Sequence, residues 1–384
     1  MKRNDTRQLT PGLAAAIRRR KEILRVCMIL IAGLVSLAGT EVHADKVDDF
    51  VADEMQAHHI PGLSLAIIDD GKISKARGYG YADTSRNALV TTTTIFQAGS
   101  ISKAVAAFGA LHVVEQGRLS LDADVNTELR SWQVPENKYT KEMKVTLRRI
   151  LSHSAGLTVH GFPGYAVDAK LPTLVQVLDG AKHANTAPIR VDLVPGSKWR
   201  YSGGGFTVMQ QMLIDVTGRP FPEFMEETVL NPLGMAASTY EQPLPDRLAP
   251  AAATGYLPNH KAVRGKYHVY PEMAAAGLWT TASDLARFAI GVQQSLAGES
   301  NPVISQAMTR NMLTIQIAED GLGLFLTHKR DKLWFNHGGR DVGFDALLMA
   351  SAETGQGVVV MINANDNSGV INRIADAVAK EYHW

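Results

Sequence analysis

Apolar residues recur along this chain in different rhythms, and each rhythm predicts a kind of element. Over residues 45–59, Val47, Phe50, Val51 and Met55 fall at helical spacing, and His59-Ile60-Pro61-Gly62 ends the run. Residues 63–68 form an apolar run broken only by Ser64, Asp69-Asp70-Gly71 reads as a turn, and residues 73–81 alternate, which predicts a β-hairpin. After Ser100 the helical spacing returns. Ile101, Val105 and Phe108 form one stripe, with Leu111 and Val114 beside it, and Gly117 stops a long amphipathic helix. Shorter helical stretches follow at 145–151, 174–178, 206–216 and 223–230, and Thr281-Ala282-Ser283-Asp284 offers a capping box for a helix over 285–294.

The end of the chain changes character. Residues 322–327, 333–336, 343–350 and 358–363 are short apolar or alternating runs joined by turn signals such as Glu353-Thr354-Gly355, so antiparallel strands are expected. His337-Gly338-Gly339-Arg340 lies between the second and third of them. Ile371, Ile374, Val378 and Tyr382 mark one face of a closing helix. Strands at both ends around a helical middle predict an α+β fold. Its antiparallel sheet, flanked by helices, is built from both chain ends (about 45–95 and 295–384), with an all-helical region (about 96–294) inserted beside it and a cleft where the two meet.

With 384 residues, 45% hydrophobic and 20% charged, the chain is long and apolar enough to bury a large core. A net charge of +1 gives no electrostatic case for nucleic acid or an anionic membrane surface. The first residues read differently: Arg18-Arg19-Arg20-Lys21 leads into an apolar run over 26–38, and Val42-His43-Ala44 puts a small residue at a cleavage position. Residues 1–44 are therefore expected to be a secretory signal, the domain 45–384 being periplasmic or secreted. Uncleaved, this segment would be the chain's attachment to the membrane. The single cysteine, Cys27, falls inside it, which leaves the mature domain without a disulfide or a cysteine nucleophile.

Candidate chemistry centres on Ser100-Ile101-Ser102-Lys103. Three residues apart on a helix, Ser100 and Lys103 share a face. A lysine in a dry site loses pKa and can accept a serine proton, and the unpaired N–H groups of the helix start suit an oxyanion. On its own the motif reads better as an N-cap with an exposed lysine, since S-x-x-K arises about once by chance in a chain this long. Ser64 has Gly62 before it but Ala66 after it, misses the nucleophile-elbow pattern and reads as a strand residue. His153, at the end of the 145–151 helix, is a base for Ser100 or a brace of the helix end. Tyr201-Ser202-Gly203-Gly204-Gly205 fits no phosphate-binding pattern, and close backbone approach beside Tyr201 explains its glycines better. Residues 160–195, with Phe162 and Tyr165, read as a rim that selects substrate.

Taken together, Ser100-Ile101-Ser102-Lys103, Tyr201-Ser202-Gly203 and His337-Gly338-Gly339 resemble the S-x-x-K, Y-x-N and K-T-G elements of the serine β-lactamase and penicillin-binding protein superfamily. The nearest branch looks like the class C-type group of β-lactamases, DD-carboxypeptidases, D-aminopeptidases and esterases. Leu151-Ser152-His153-Ser154-Ala155-Gly156-Leu157 and Ala275-Ala276-Gly277-Leu278 also look like this group. The resemblance implies Ser100 as acylated nucleophile, Lys103 as its proton acceptor, and Tyr201 as a proton relay whose pKa falls beside Lys103. It implies an oxyanion hole from the backbone N–H groups of Ser100 and Arg340, with His337, Gly338, Gly339 and Gly203 lining the substrate site. No metal or cofactor is implied. Two departures stand out. Gly203 replaces an asparagine that would hold an acylamide, and His337 replaces a lysine that would grip a carboxylate. The resulting expectation is an exported serine acyl hydrolase acting on small esters or D-amino-acid-type amides. A class C-like β-lactamase, a DD-carboxypeptidase and a non-catalytic cell-envelope binding protein are the alternatives. If His337 anchors a carboxylate, efficiency on carboxylate-bearing substrates should rise toward pH 6.

Overall fold

The computed structural model describes residues 46–384, so the expected signal segment lies outside the described residues. Asp70 and Gly71 both adopt left-handed angles, φ 52° and 68°, and close a two-residue turn between β1 (Gly62–Asp69) and β2 (Lys72–Asp83). β2 runs on to a short β3 (Ala88–Leu89). Midway, β4 (Phe96–Gln97) pairs with β7 (Trp279–Thr280), and β5 (Tyr165–Ala166) pairs with β6 (His268–Val269). The C-terminal part supplies β8 (Phe325–Lys329), β9 (Lys332–Asp341), β10 (Phe344–Ser351) and β11 (Gly357–Ile362). These four join β1, β2 and β3 in one antiparallel seven-stranded sheet in the order β3-β2-β1-β11-β10-β9-β8. The two chain ends meet at its centre, where Leu63 pairs with Ile362 and Ile67 with Val358.

Strand periodicity then sorts the core. Leu63, Leu65 and Ile67 of β1 face the same side as Val358, Val360 and Ile362 of β11, and α1 (Lys46–Ala57) and α10 (Val370–Glu381) cover that side with Val47, Val51, Ile374 and Val378. Ala66, Ile68, Val359 and Met361 face the other side and join the large core of the helical region. That region contains α2 (Ile101–Glu115), α3 (Leu147–Leu151), α4 (Leu174–Asp179), α5 (Gly203–Thr217), α6 (Phe221–Met225) and α7 (Met273–Ala276). α8 (Ala282–Ala297) packs on β1 and β11, so the sheet layer begins ahead of residue 295, and α9 (Gln306–Met312) packs on α8. Ser64 lies within β1, paired with Met361 and Gly78.

Four local readings need correction. Residues 101–111 of α2 are buried on every side, because Ala104, Ala106, Ala107 and Ala110 fill the face between the apolar stripes. This helix is a central pillar and not an amphipathic one. β9 does not stop at Asn336: paired with β10 from Trp334↔Ser351 to Asp341↔Phe344, it carries His337-Gly338-Gly339-Arg340 inside the strand. α5 starts at Gly203, since the Ser202 hydroxyl caps it by accepting from Gly205 N–H at 2.9 Å. At α8 half the capping box forms. Thr281 Oγ1 accepts from Asp284 N–H, while the Asp284 carboxylate turns to Ala237 N–H, the Ser238 hydroxyl and Arg287.

Candidate active site

Ser100 sits at the head of α2, immediately after Gly99, whose φ of +51° makes the bend that ends β4. The bend rests directly on β9. A Cβ on Gly339 would lie 1.9 Å from the Ala98 carbonyl oxygen and 3.2 Å from Ser100 N, and one on Gly99 would lie 2.4 Å from Arg340 N. Only glycine at both places lets the backbone around Ser100 touch the backbone of Gly339 and Arg340. The Ser102 hydroxyl fixes the same bend by donating to the Gly99 carbonyl at 2.6 Å and accepting from Leu278 N–H at 3.0 Å.

One turn along α2, the Lys103 side chain is 1% exposed. Its Nζ donates to Ser100 Oγ at 2.9 Å and to the Ala275 carbonyl, at the end of α7, at 2.8 Å. Burial lowers the Lys103 pKa to about 7, with the Asp341 charge opposing it. The Tyr201 ring lies 4.9 Å from Nζ, and its hydroxyl reaches Ser100. Burial pushes this phenol above its ordinary range, since it penalises a phenolate as it penalises an ammonium. Of the two, Lys103 and not Tyr201 has the falling pKa. Ser100 also does not cap α2 with its side chain, which leaves Oγ to Lys103 and Tyr201.

His153 braces the site and stands off Ser100. Its Nδ1 accepts from Ser202 N–H at 3.1 Å, and its ring packs on Tyr201 with centroids 4.1 Å apart. Burial, then the Lys103 charge, holds it well below its ordinary pKa, so it braces as a neutral ring and not as a helix-end cation. His337, on β9, is buried and packs on Phe325 at 5.2 Å. Its Nδ1 lies 2.6 Å from the Gly338 carbonyl, an arrangement that puts the proton on Nδ1. Burial, aided by Lys103, lowers its pKa to about 3. It is therefore neutral near pH 6, which gives no support to the expectation that it anchors a carboxylate there.

These groups line a cleft of about 760 Å³, together with Gly338, Gly339, Arg340, Phe162 and Phe325. The Arg340 guanidinium is engaged by the Asp345 carboxylate at 2.6 and 2.7 Å, by Asn367 and by the Asp366 carbonyl. Gly203 opens no space: a Cβ there would lie 3.0 Å from the His160 carbonyl and from the Phe162 ring. The Gly203 and Gly204 N–H groups bind the His160 and Val159 carbonyls, so the rim closes where an asparagine side chain would stand. Phe162 of the expected rim reaches the cleft; Tyr165 is buried in β5 instead, its hydroxyl taken by Asn185 N–H.

The Beta-lactamase family model matches residues 47–381. The chain belongs to the Beta-lactamase family. It is similar to Protein flp of Staphylococcus aureus (strain N315), 23% identical over 330 residues that cover 83% of this chain and 63% of that protein. The chain thus spans less than two thirds of the length of the curated relatives it matches. In fold it is similar to the octameric penicillin-binding protein homologue from Pyrococcus abyssi, with a TM-score of 0.71 at 23% identity over 88% of this chain and 77% of that one. It is also similar to a Beta-Lactamase/D-Alanine Carboxypeptidase from Pseudomonas syringae, with a TM-score of 0.69 at 21% identity over 88% and 99%. As in those Beta-lactamase-like folds, an antiparallel sheet flanked by helices supports the site. Sequence reasoning gave no role to Ala275, which orients the lysine, or to Asp341. Ala275 stands in the family-like stretch Ala275-Ala276-Gly277-Leu278, which carries no polar side chain to mark it. Asp341 carries no local signal, because only β9 pairing turns it inward.

Proposed function

We propose that this Beta-lactamase family member is an exported serine acyl hydrolase that cleaves small neutral esters through an acyl-Ser100 intermediate. The observation that carries the reading is the buried Lys103 Nζ at 2.9 Å from Ser100 Oγ. With a pKa near 7 the amine is available as a base at neutral pH. Lys103 takes the Ser100 proton as Oγ attacks the ester carbonyl. The N–H groups of Ser100 and Arg340, whose backbones are in contact across Gly99 and Gly339, receive the oxyanion. The Lys103 ammonium returns its proton to the leaving alkoxide by way of the Tyr201 hydroxyl, which ends the step protonated as it began, and water then releases the acyl group by the reverse path. Export rests on the basic and apolar pattern of residues 1–44.

The preference for neutral substrates follows from the walls. β-Lactams and peptides ending in D-Ala-D-Ala carry a carboxylate, and the groups nearest to holding one are a neutral His337 and an Arg340 already engaged by Asp345. Phe162, Phe325 and Tyr201 offer apolar ring surface to an acyl chain. The test is turnover of p-nitrophenyl butyrate with intact-mass detection of the acyl adduct, run beside a fluorescent penicillin. Ester turnover with an adduct that Ser100→Ala abolishes is expected, with a fall of at least about 10³-fold in kcat. An unchanged rate in the folded Ser100→Ala variant sinks the reading, and a lasting penicillin adduct moves the protein to the penicillin-binding side.

A further inference from the structure

The acyl-transfer steps above ask only for the backbone N–H of Arg340 and leave its guanidinium without a task. Among the described residues, β8 pairs with β9 only from Lys332 to Asn336, so from His337 onward that edge of β9 has no strand beside it. The bend at Gly99 lies there instead, close enough that a Cβ on Gly99 would stand 2.4 Å from Arg340 N. An antiparallel strand turns the N–H and C=O groups of successive residues to alternate edges. The ladder with β10 therefore holds Gly339 and Asp341, on either side, while the Arg340 N–H faces the open edge. What fixes that donor, beyond its neighbours, is whatever grips its side chain.

The grip lies on the other face of β9. Arg340 and Asp345 stand directly opposite each other in β9 and β10, so their side chains share a face. Through Nε the guanidinium donates to Asp345 Oδ1 at 2.7 Å, and through Nη2 to Oδ2 at 2.6 Å. Two parallel bonds fix the plane of the fork as well as its distance. Nη1 adds a bond to Asn367 Oδ1 at 3.0 Å. Asp345 is itself buried and held in turn, accepting from Asp366 N–H at 2.8 Å and Asn365 Nδ2 at 3.1 Å. Asn365 also pins the turn between the two strands. Its side chain accepts from Gly343 N–H at 2.8 Å and donates to the carbonyls of Asp341 at 2.8 Å and Phe344 at 3.2 Å. The carboxylate of Asp345 thus joins Arg340, the β9–β10 turn and the segment after β11 at one point.

Resting on the hydrolase reading, we propose that Asp345 is a positioning residue of the oxyanion hole: it holds the Arg340 guanidinium, and through that side chain aims the Arg340 N–H at the carbonyl oxygen of the ester that Ser100 attacks. No proton passes through Asp345 and no bond forms on it. Its effect belongs to the tetrahedral stage, where the substrate oxygen carries a negative charge, and not to the binding of the neutral ester.

The experiment compares wild type with Asp345→Asn, Arg340→Lys and the double variant, each below its melting temperature. Both single changes keep the Arg340 N–H and break the two-pronged contact, since lysine has no fork. Readings are kcat and KM for p-nitrophenyl butyrate and the inhibition constant of butylboronic acid, whose boron takes the serine oxygen and sets a boron-bound oxygen among the oxyanion donors. A donor displaced by part of an ångström loses part of a factor of about 100, so kcat should fall about 30-fold in Asp345→Asn, with boronate binding weakened by a similar factor. KM should not change. Because Asp345 also lines the cleft, a loss confined to KM would make it a substrate contact and overturns the proposal. A fall in kcat with unchanged boronate binding overturns it too. The double variant should be no slower than the slower single one, because both changes break the same contact; losses that multiply overturn the link from Asp345 to Arg340. If Asp345→Asn does not fold, Arg340→Lys decides by the same kcat and boronate readings. Wild type that neither turns over the ester nor is labelled at Ser100 by a fluorophosphonate defeats the hydrolase reading itself. An active wild type whose folded variants keep its kcat and boronate affinity defeats the role of Asp345 alone.

Discussion

Lys103 and His337 are both buried beside Ser100, and burial acts on both in the same direction. Each prefers its neutral form, Lys103 with a pKa near 7 and His337 near 3. Below pH 7 the lysine is an ammonium and cannot accept the serine proton. The acid limb of kcat/KM for a neutral ester should therefore rise with pH and level off above about 7. Because His337 is already neutral across that range, a carboxylate-bearing ester of the same alcohol should give a parallel profile. A ratio that climbs in favour of the carboxylate ester as pH falls to 6 would restore His337 as an anion anchor. The pairing of Ser100 with Lys103 was legible because three-residue helical spacing is a local property of the sequence. Charge state was not, since it depends on what β9 and α5 pack over the lysine. Reading His337 by its ordinary pKa, and expecting the Tyr201 pKa to fall beside that of Lys103, share that one cause.

At the scale of elements, the site is a contact between two backbones, the bend before α2 and the middle of β9. Nothing but hydrogen fits at Gly339, where a Cβ would stand 1.9 Å from the Ala98 carbonyl. Gly339→Ala must push β9 away from the bend, and Arg340 N moves with it. A displacement near 1 Å between oxyanion donors and nucleophile costs about 100-fold in rate. We expect a loss of that order in kcat for p-nitrophenyl butyrate, whereas Gly338→Ala, with 3.9 Å to its nearest neighbour, should keep most activity. Equal losses in the two variants would mean that this contact does not set the geometry. Periodicity found the hairpin, the closing helix and the four C-terminal strands, each of which has its own apolar rhythm. It ended β9 early because two glycines carry no strand signal; the pairing with β10 that extends it comes from elsewhere in the chain. Likewise the sequence at Gly203 shows a missing side chain but not what takes its room. The structure fills that room with His160 and Phe162 from forty residues upstream.

Across the whole molecule, the sheet's central pair joins the first strand of the described chain to the last, and a single continuous core runs from Ala66 and Val359 through Phe344 and Phe96 to Phe108 and Phe206 of the helical region. The helices that follow Ser100 and Tyr201 thus share their packing with the strand that carries His337. α10 lies on the far face, where Ile374 is fully buried against α1 and β11, on the opposite side of the sheet from the cleft. Ile374→Ala removes three methyl or methylene groups from that layer and should cost about 2–5 kcal/mol. If the described domain unfolds as one cooperative unit, the effect reaches the site only through global unfolding. The variant should then show near-normal kcat/KM at 25 °C, a lower melting temperature, and loss of ester hydrolysis that coincides with loss of far-UV circular dichroism in both variant and wild type. Activity that disappears well below the main transition would instead show that the cleft opens on its own, independently of the sheet that joins the two chain ends.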